Sequence, residues 1–162
     1  MSRILIFGNS GSGKSTYARR VSADPGCAHL DLDTVAWDVD AEAVTRLPLY
    51  ESGRRIGEFL EGNDRWVIEG AYADLIELVI ADATEVVFLN PGSAVCIENA
   101  RNRPWEPHKY ASAEAQNANL EMLVGWIGEY DRRDDEYSLN AHRRLFDGFA
   151  GAKRELTSNA RP

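Results

Sequence analysis

An α/β fold is predicted for this chain: a mostly parallel sheet of about five strands, layered between helices. Three features of the sequence predict it. A short apolar run, Ile4 to Phe7, stops at the glycine-rich stretch "GNSGSGKST", Gly8 to Thr16, and the chain then turns amphipathic. Further short apolar runs recur downstream, and stretches with helical spacing of apolar residues lie between them. Strands that alternate with helices pair in parallel, because parallel neighbours need a crossover connection.

Each element has its own signal. "RILIF" (3–7) is apolar without alternation, as in a strand buried on both faces. Ser15 to Ala23 reads as a helix halted by Asp24-Pro25-Gly26. "AHLDLD" (28–33), "RWVIEG" (65–70) and "EVVFLN" (85–90) read as the next three strands, and "KRELTS" (153–158) as a last short one. Trp66, inside a strand, is expected in the core. Ile56, Phe59 and Leu60 form a short helical stripe. Tyr72, Leu75, Ile76 and Val79 form a longer one, as do Leu120, Leu123, Val124 and Ile127. Leu139, Arg143, Phe146 and Phe149 mark a later helix, with Asp134 or Asp135 as its cap.

At 162 residues the chain suits one domain, and its 44% apolar and 27% charged residues are ordinary for a globular protein. A net charge of −8 opposes binding of duplex nucleic acid, and none is expected as a partner. No apolar stretch approaches the roughly 18 residues that span a bilayer, and no leader segment is visible. A cytoplasmic enzyme, monomer or homodimer, without membrane association is the expectation. Cys27 and Cys96 lie far apart, and His29, His108 and His142 are scattered, so no zinc-ligand spacing exists. The cysteines read as small buried thiols.

The glycine-rich stretch carries the chemistry. Gly8, Gly13, Lys14 and Ser15 fit G-x-x-x-x-G-K-[ST], between a buried strand and a helix, which is the context that motif requires. Glycines let backbone N–H groups close around phosphate oxygens, and the following helix N-terminus adds donors and its dipole. The phosphate-binding candidates are therefore Gly8, Asn9, Ser10, Gly11, Ser12, Gly13, Lys14, Ser15 and Thr16. Lys14 is placed to reach the β- and γ-phosphates of ATP, and the Ser15 hydroxyl to ligate Mg²⁺.

Asp31 and Asp33 straddle one residue, so on a strand both side chains share a face. One carboxylate would hold Mg²⁺, with Asp33 the candidate, and the other would accept the proton of an attacking hydroxyl. Phosphoryl transfer develops charge that arginines stabilise. Arg101 and Arg103 in "NARNRPWEPHKY" (99–110), and Arg132 and Arg143 in "YDRRDDEYSLNAHRRL" (130–145), are the candidates.

With these residues the chain resembles the small P-loop kinases, the group of adenylate, shikimate and related kinases. "HLDLD" with "RWVIEGAY" looks like the acceptor-side region of adenylate-kinase-related proteins, including topology modulation proteins. "RRDDEYSLNAHRRL" is similar to their Arg-x-Asp-Asp segment and later arginine. The resemblance implies a P-loop NTPase three-layer sandwich with a helical lid at 100–133 and an acceptor-binding insertion at 33–64. It implies that Arg132 and Arg143 touch transferring phosphates and that Arg101 and Arg103 are lid arginines. Asn90 stands at the end of "VVFL", where many P-loop proteins place a metal-binding aspartate, so the acidic role falls to Asp31, Asp33 or Glu69. The expected activity is Mg-ATP-dependent phosphorylation of a nucleoside, nucleotide or hydroxylated metabolite. The alternative is a nucleotide-dependent regulatory ATPase or switch.

Overall fold

Parallel pairing organises the chain in the computed structural model, which describes residues 1–159. The first strand, β1 (Arg3–Gly8), leads through the glycine loop into α1 (Lys14–Val21) and then β2 (Ala28–Asp31). A short helix α2 (Asp33–Ala36), an antiparallel ribbon of β3 (Trp37–Asp38) and β4 (Thr45–Arg46), and helix α3 (Leu49–Gly62) follow. The chain continues through β5 (Trp66–Gly70), α4 (Ala73–Val79), a 3₁₀ turn (Ile80–Asp82), β6 (Glu85–Leu89) and α5 (Ser93–Arg101). It ends with α6 (Ala113–Gly128), α7 (Leu139–Gly148) and β7 (Ala152–Leu156).

The five strands predicted from sequence form one parallel sheet in the order β2-β5-β1-β6-β7. Alternation along the buried strands supplies both faces. Leu5, Phe7, Trp66, Ile68, Val86 and Phe88 point to the face covered by α3, α4 and α7. Ile6, Val67, Val87 and Leu89 pack instead with Ala18 of α1. The result is the three-layer arrangement expected. Trp66 is in the core, 1% exposed. Cys96 is buried and Cys27 half-buried, both as free thiols. A separate small core forms where Cys96 and Ala100 of α5 meet Ile127 of α6.

Two local expectations are corrected. The strand read over 28–33 ends at Asp31, because the Asp33 amide donates to Asp31 Oδ1 at 2.9 Å and turns the chain into α2. The cap of α7 is Ser138, not Asp134 or Asp135: its hydroxyl accepts from the Ala141 amide. Asp135 instead accepts from the Tyr137 amide in the preceding turn. No helix among the described residues is long and apolar enough to cross a membrane.

His142 is the one buried histidine, held under the floor of the sheet. Its ring packs near Phe7 and Phe88. Nε2–H donates to the Ala71 carbonyl at 2.7 Å, and Nδ1 accepts from Tyr130 OH at 2.6 Å, the tautomer that satisfies both. Burial pushes its pKa down to about 4, below the ordinary 6.5. Its contribution to stability is therefore complete above pH 6.5 and drains as the pH falls toward 4, by about 3 kcal/mol in all. Denaturant titrations between pH 7 and 4 should show this slope in the wild type and lose it in His142→Gln. An equal slope in both would contradict the assignment.

Candidate active site

The glycine loop sits at the carboxyl ends of the strands, on the floor of a cleft of ≈ 1230 Å³. Ser10, Gly11, Gly13, Lys14, Ser15 and Thr16 line that cleft, whereas Gly8, Asn9 and Ser12 lie behind it. Two glycines are demanded by space. A Cβ on Gly8 would stand 2.3 Å from the Leu89 carbonyl oxygen, and one on Gly11, at φ +77°, 2.4 Å from that of Cys96.

The loop's carbonyls are engaged by side chains. Lys14 Nζ donates to the Asn9 carbonyl at 2.7 Å, Asn99 Nδ2 to Gly11 at 2.8 Å, and Asn159 Nδ2 to Ser12 at 3.0 Å. The Asn9 side chain ties the loop to α6 through the Ile127 carbonyl at 3.2 Å. Among the described residues, the amides of Gly11, Gly13, Lys14 and Ser15 donate to no protein group, and α1 begins without a side-chain cap. Burial lowers the pKa of the Lys14 ammonium, with Glu69 and Asp33 offsetting part of the shift. Bare amides, a helix N-terminus and a lysine together make an anion cradle.

Sheet order decides which acid faces this cradle. β1 lies between β5 and β6. From β5, buried Glu69 accepts from Ser15 Oγ at 2.8 Å and contacts His29 Nε2 at 3.3 Å through the same Oε1. From the β6 side, Asn90 bonds Glu155 at 3.3 Å and does not line the cleft. Ser15 Oγ and the Glu69 carboxylate are oxygen donors of the kind a hard cation such as Mg²⁺ takes, so the residues present fit that ion.

Asp31 and Asp33 do converge, although through a turn instead of a shared strand face. Asp33 Oδ1 accepts from Tyr72 OH, and Tyr72 OH accepts from Trp37 Nε1 at 2.9 Å. Asp33 Oδ2 lies 2.7 Å from Lys109 Nζ, which reaches down from the segment before α6. The same ammonium is 3.9 Å from Asp31 Oδ2 and 3.5 Å from Glu106 Oε2. Burial opposes ionisation of Asp33, but Lys109 and the Tyr72 hydroxyl outweigh it and hold the carboxyl below its usual range. Burial and the neighbouring Asp33 and Glu69 push Asp31 up to about 6. The two carboxyls are thus driven apart in acidity.

The arginines are not gathered here. Arg103 lines the cleft and pairs with Glu106 at 3.2 Å. Arg101 reaches Glu121 of α6 at 2.7 Å, and Arg132, 72% exposed, lies 3.7 Å from Glu129. Arg143 is bidentate to Glu155 at 2.7 and 2.8 Å, over the Phe88 ring. None of these last three lines the cleft.

No family model matches the chain, and no curated protein is detectably similar to it in sequence. Solved structures do resemble it in fold. A deoxyadenosine kinase from M. mycoides with bound dATP superimposes with a TM-score of 0.52 at 11% identity, covering 99% of this chain and 93% of that one. A shikimate kinase from Bacteroides thetaiotaomicron gives a TM-score of 0.50 at 15% identity, covering 90% and 97%. The class of structure is thereby defined. The chain has the fold of the small P-loop kinases.

Sequence reading missed Asn99, Asn159 and Lys109. Nothing local marks the two asparagines. Lys109 carries a faint signal, being one of three lysines, with Lys14 and Lys153, in a chain that otherwise uses arginine. The loop geometry makes its own prediction. Gly11→Ala must move the loop off the Cys96 carbonyl and strain the backbone, costing ~1–3 kcal/mol of stability. Chemical denaturation should register that loss together with weaker tripolyphosphate binding, and unchanged values of both would contradict this reading of the loop.

Proposed function

We propose that the protein is a Mg-ATP-dependent kinase that phosphorylates a small hydroxylated molecule. The observation that carries this reading is the joining, within one cleft, of an anion cradle around Lys14 to the carboxyl pair Asp31/Asp33. A switch that only bound and hydrolysed nucleotide would not need the second half. The fold likeness to a deoxyadenosine kinase with bound dATP and to a shikimate kinase supports the same class. Cytoplasmic location belongs to the proposal.

The chain's own residues divide the work. The loop amides and Lys14 bind the anionic tail, and Ser15 with Glu69 holds the cation. When bound, Mg-ATP supplies the transferable phosphoryl group and the charge that screens it. Both Asp33 oxygens are engaged, by Tyr72 and Lys109, so Asp33 serves as a fixed anion that orients the acceptor hydroxyl. Asp31 keeps Oδ2 free of any close donor, and it takes the hydroxyl proton. Asp33 as metal ligand, the sequence expectation, gives way in this proposal to Glu69. Arg103 faces the cleft from the cover. Arg101, Arg132 and Arg143 would act on phosphates only after leaving Glu121, Glu129 and Glu155.

An ADP-release assay with a panel of alcohol acceptors tests the reading. Acceptor-stimulated turnover should fall by about 10²–10³-fold in Lys14→Ala with the fold retained. Asp31→Asn should lower kcat by about 10²–10⁴-fold with little change in ATP binding. Nucleotide turnover that no acceptor stimulates, or a fully active Lys14→Ala, would overturn the kinase assignment.

A further inference from the structure

The cleft is divided electrostatically, and on the kinase reading above that division points to the class of acceptor. Toward β7 its wall carries Arg19 and Arg20 of α1, beside Arg154, which pairs with Glu85 at 2.8 Å, and Glu155, which pairs with Arg143 at 2.7 Å. Toward β2 and β5 the wall turns acidic: Asp31 and Glu69 from the sheet and Asp33 from the start of α2 line it with Glu106 from the cover. The cations on that side are already taken. Lys109 Nζ is 2.7 Å from Asp33 and 3.5 Å from Glu106, and Arg103 is 3.2 Å from Glu106. His108 Nε2 also lies 3.6 Å from Glu106.

Arg46 stands just outside the lining, and four of its five donors are engaged. They go to Asp74 at 2.9 Å, to Glu136 at 3.2 Å, to Tyr137 OH at 2.8 Å and to the Ala36 carbonyl at 3.3 Å. Among the described residues, this half of the cleft offers an acceptor carboxylate or phosphate no unshared cation. It offers aromatic rings instead. Trp37, Tyr72, Tyr137 and Trp126 run edge to face, with centroids 6.4, 5.4 and 5.3 Å apart in turn. Trp105 faces the cleft from the cover, 46% exposed, with its indole N–H held by the Tyr110 carbonyl.

We propose that the phosphoryl acceptor is a ring-bearing alcohol without an anionic group, uncharged or cationic. An anionic acceptor would meet like charge with no free partner. A flat ring gains contact area against the aromatic wall, and a cationic one gains further from ring faces and carboxylates. The Lys109 ammonium, seated on Asp33, already occupies the place of such a positive charge.

Calorimetry on the nucleotide-free full chain tests this with matched pairs: methyl shikimate against shikimate, pyridoxine against 4-pyridoxate, and 4-(hydroxymethyl)benzylamine against 4-(hydroxymethyl)benzoate. Carboxylates are used because a phosphate would also be drawn to the glycine loop. The non-anionic member should bind at least about ten-fold more tightly. Glu106→Gln, which releases Arg103 and leaves Lys109 on Asp33, should narrow that ratio several-fold. Equal affinity, preference for the anion, or binding of no member of any pair would overturn the inference. A separate titration with an ATP analogue tests the kinase reading, so the two fail independently.

Discussion

Everything at this site depends on where the carbonyls of one loop point. A glycine-rich turn presents N–H and C=O groups alike, and an anion is held by the first and repelled by the second. Here Lys14, Asn99 and Asn159 engage the carbonyls of Asn9, Gly11 and Ser12, and the amides of Gly11, Gly13, Lys14 and Ser15 are left without a protein acceptor. The close approach of Gly8 to Leu89 and of Gly11 to Cys96 leaves no room for a side chain that would spoil this arrangement. Two distant side chains, Asn99 and Asn159, and the loop's own Lys14 orient this stretch of backbone.

The rest of the cleft is arranged around that floor. Sheet order puts β5 beside β1, and β5 delivers Glu69 to Ser15. The turn after β2 delivers Asp31 and Asp33, and Tyr72, just past β5, fixes Asp33. His142 holds the Ala71 carbonyl from below, so the segment carrying Tyr72 is anchored to α7. Lys109 closes the acidic side from above. Arg19 and Arg20 of α1 on one side and the carboxylates toward β2 on the other follow from this placement.

The loop, the buried strands and their parallel pairing were legible because each is written locally, in glycine spacing and in apolar runs. Asp31 and Asp33 were legible as a pair but not as a shape. The side-chain turn from Asp31 to the Asp33 amide competes with strand extension, and in this context it wins. Glu69 could not be singled out from Asp31 and Asp33, because sequence does not state which carboxylate packing brings to Ser15. The arginines' partners were hidden for the same reason. Their carboxylate partners sit on other elements, as with Arg101 and Glu121 of α6 or Arg143 and Glu155 of β7. Asn99, Asn159 and Lys109 act through tertiary contacts that no local pattern encodes.

The most direct measurement of the loop's role is amide NMR of the ¹⁵N-labelled chain titrated with a non-hydrolysable ATP analogue and Mg²⁺. The account predicts large, saturating shifts and slowed hydrogen exchange at the N–H groups of Gly11, Gly13, Lys14 and Ser15, the groups that now lack an acceptor. Nucleotide binding that leaves those four resonances in place would contradict it.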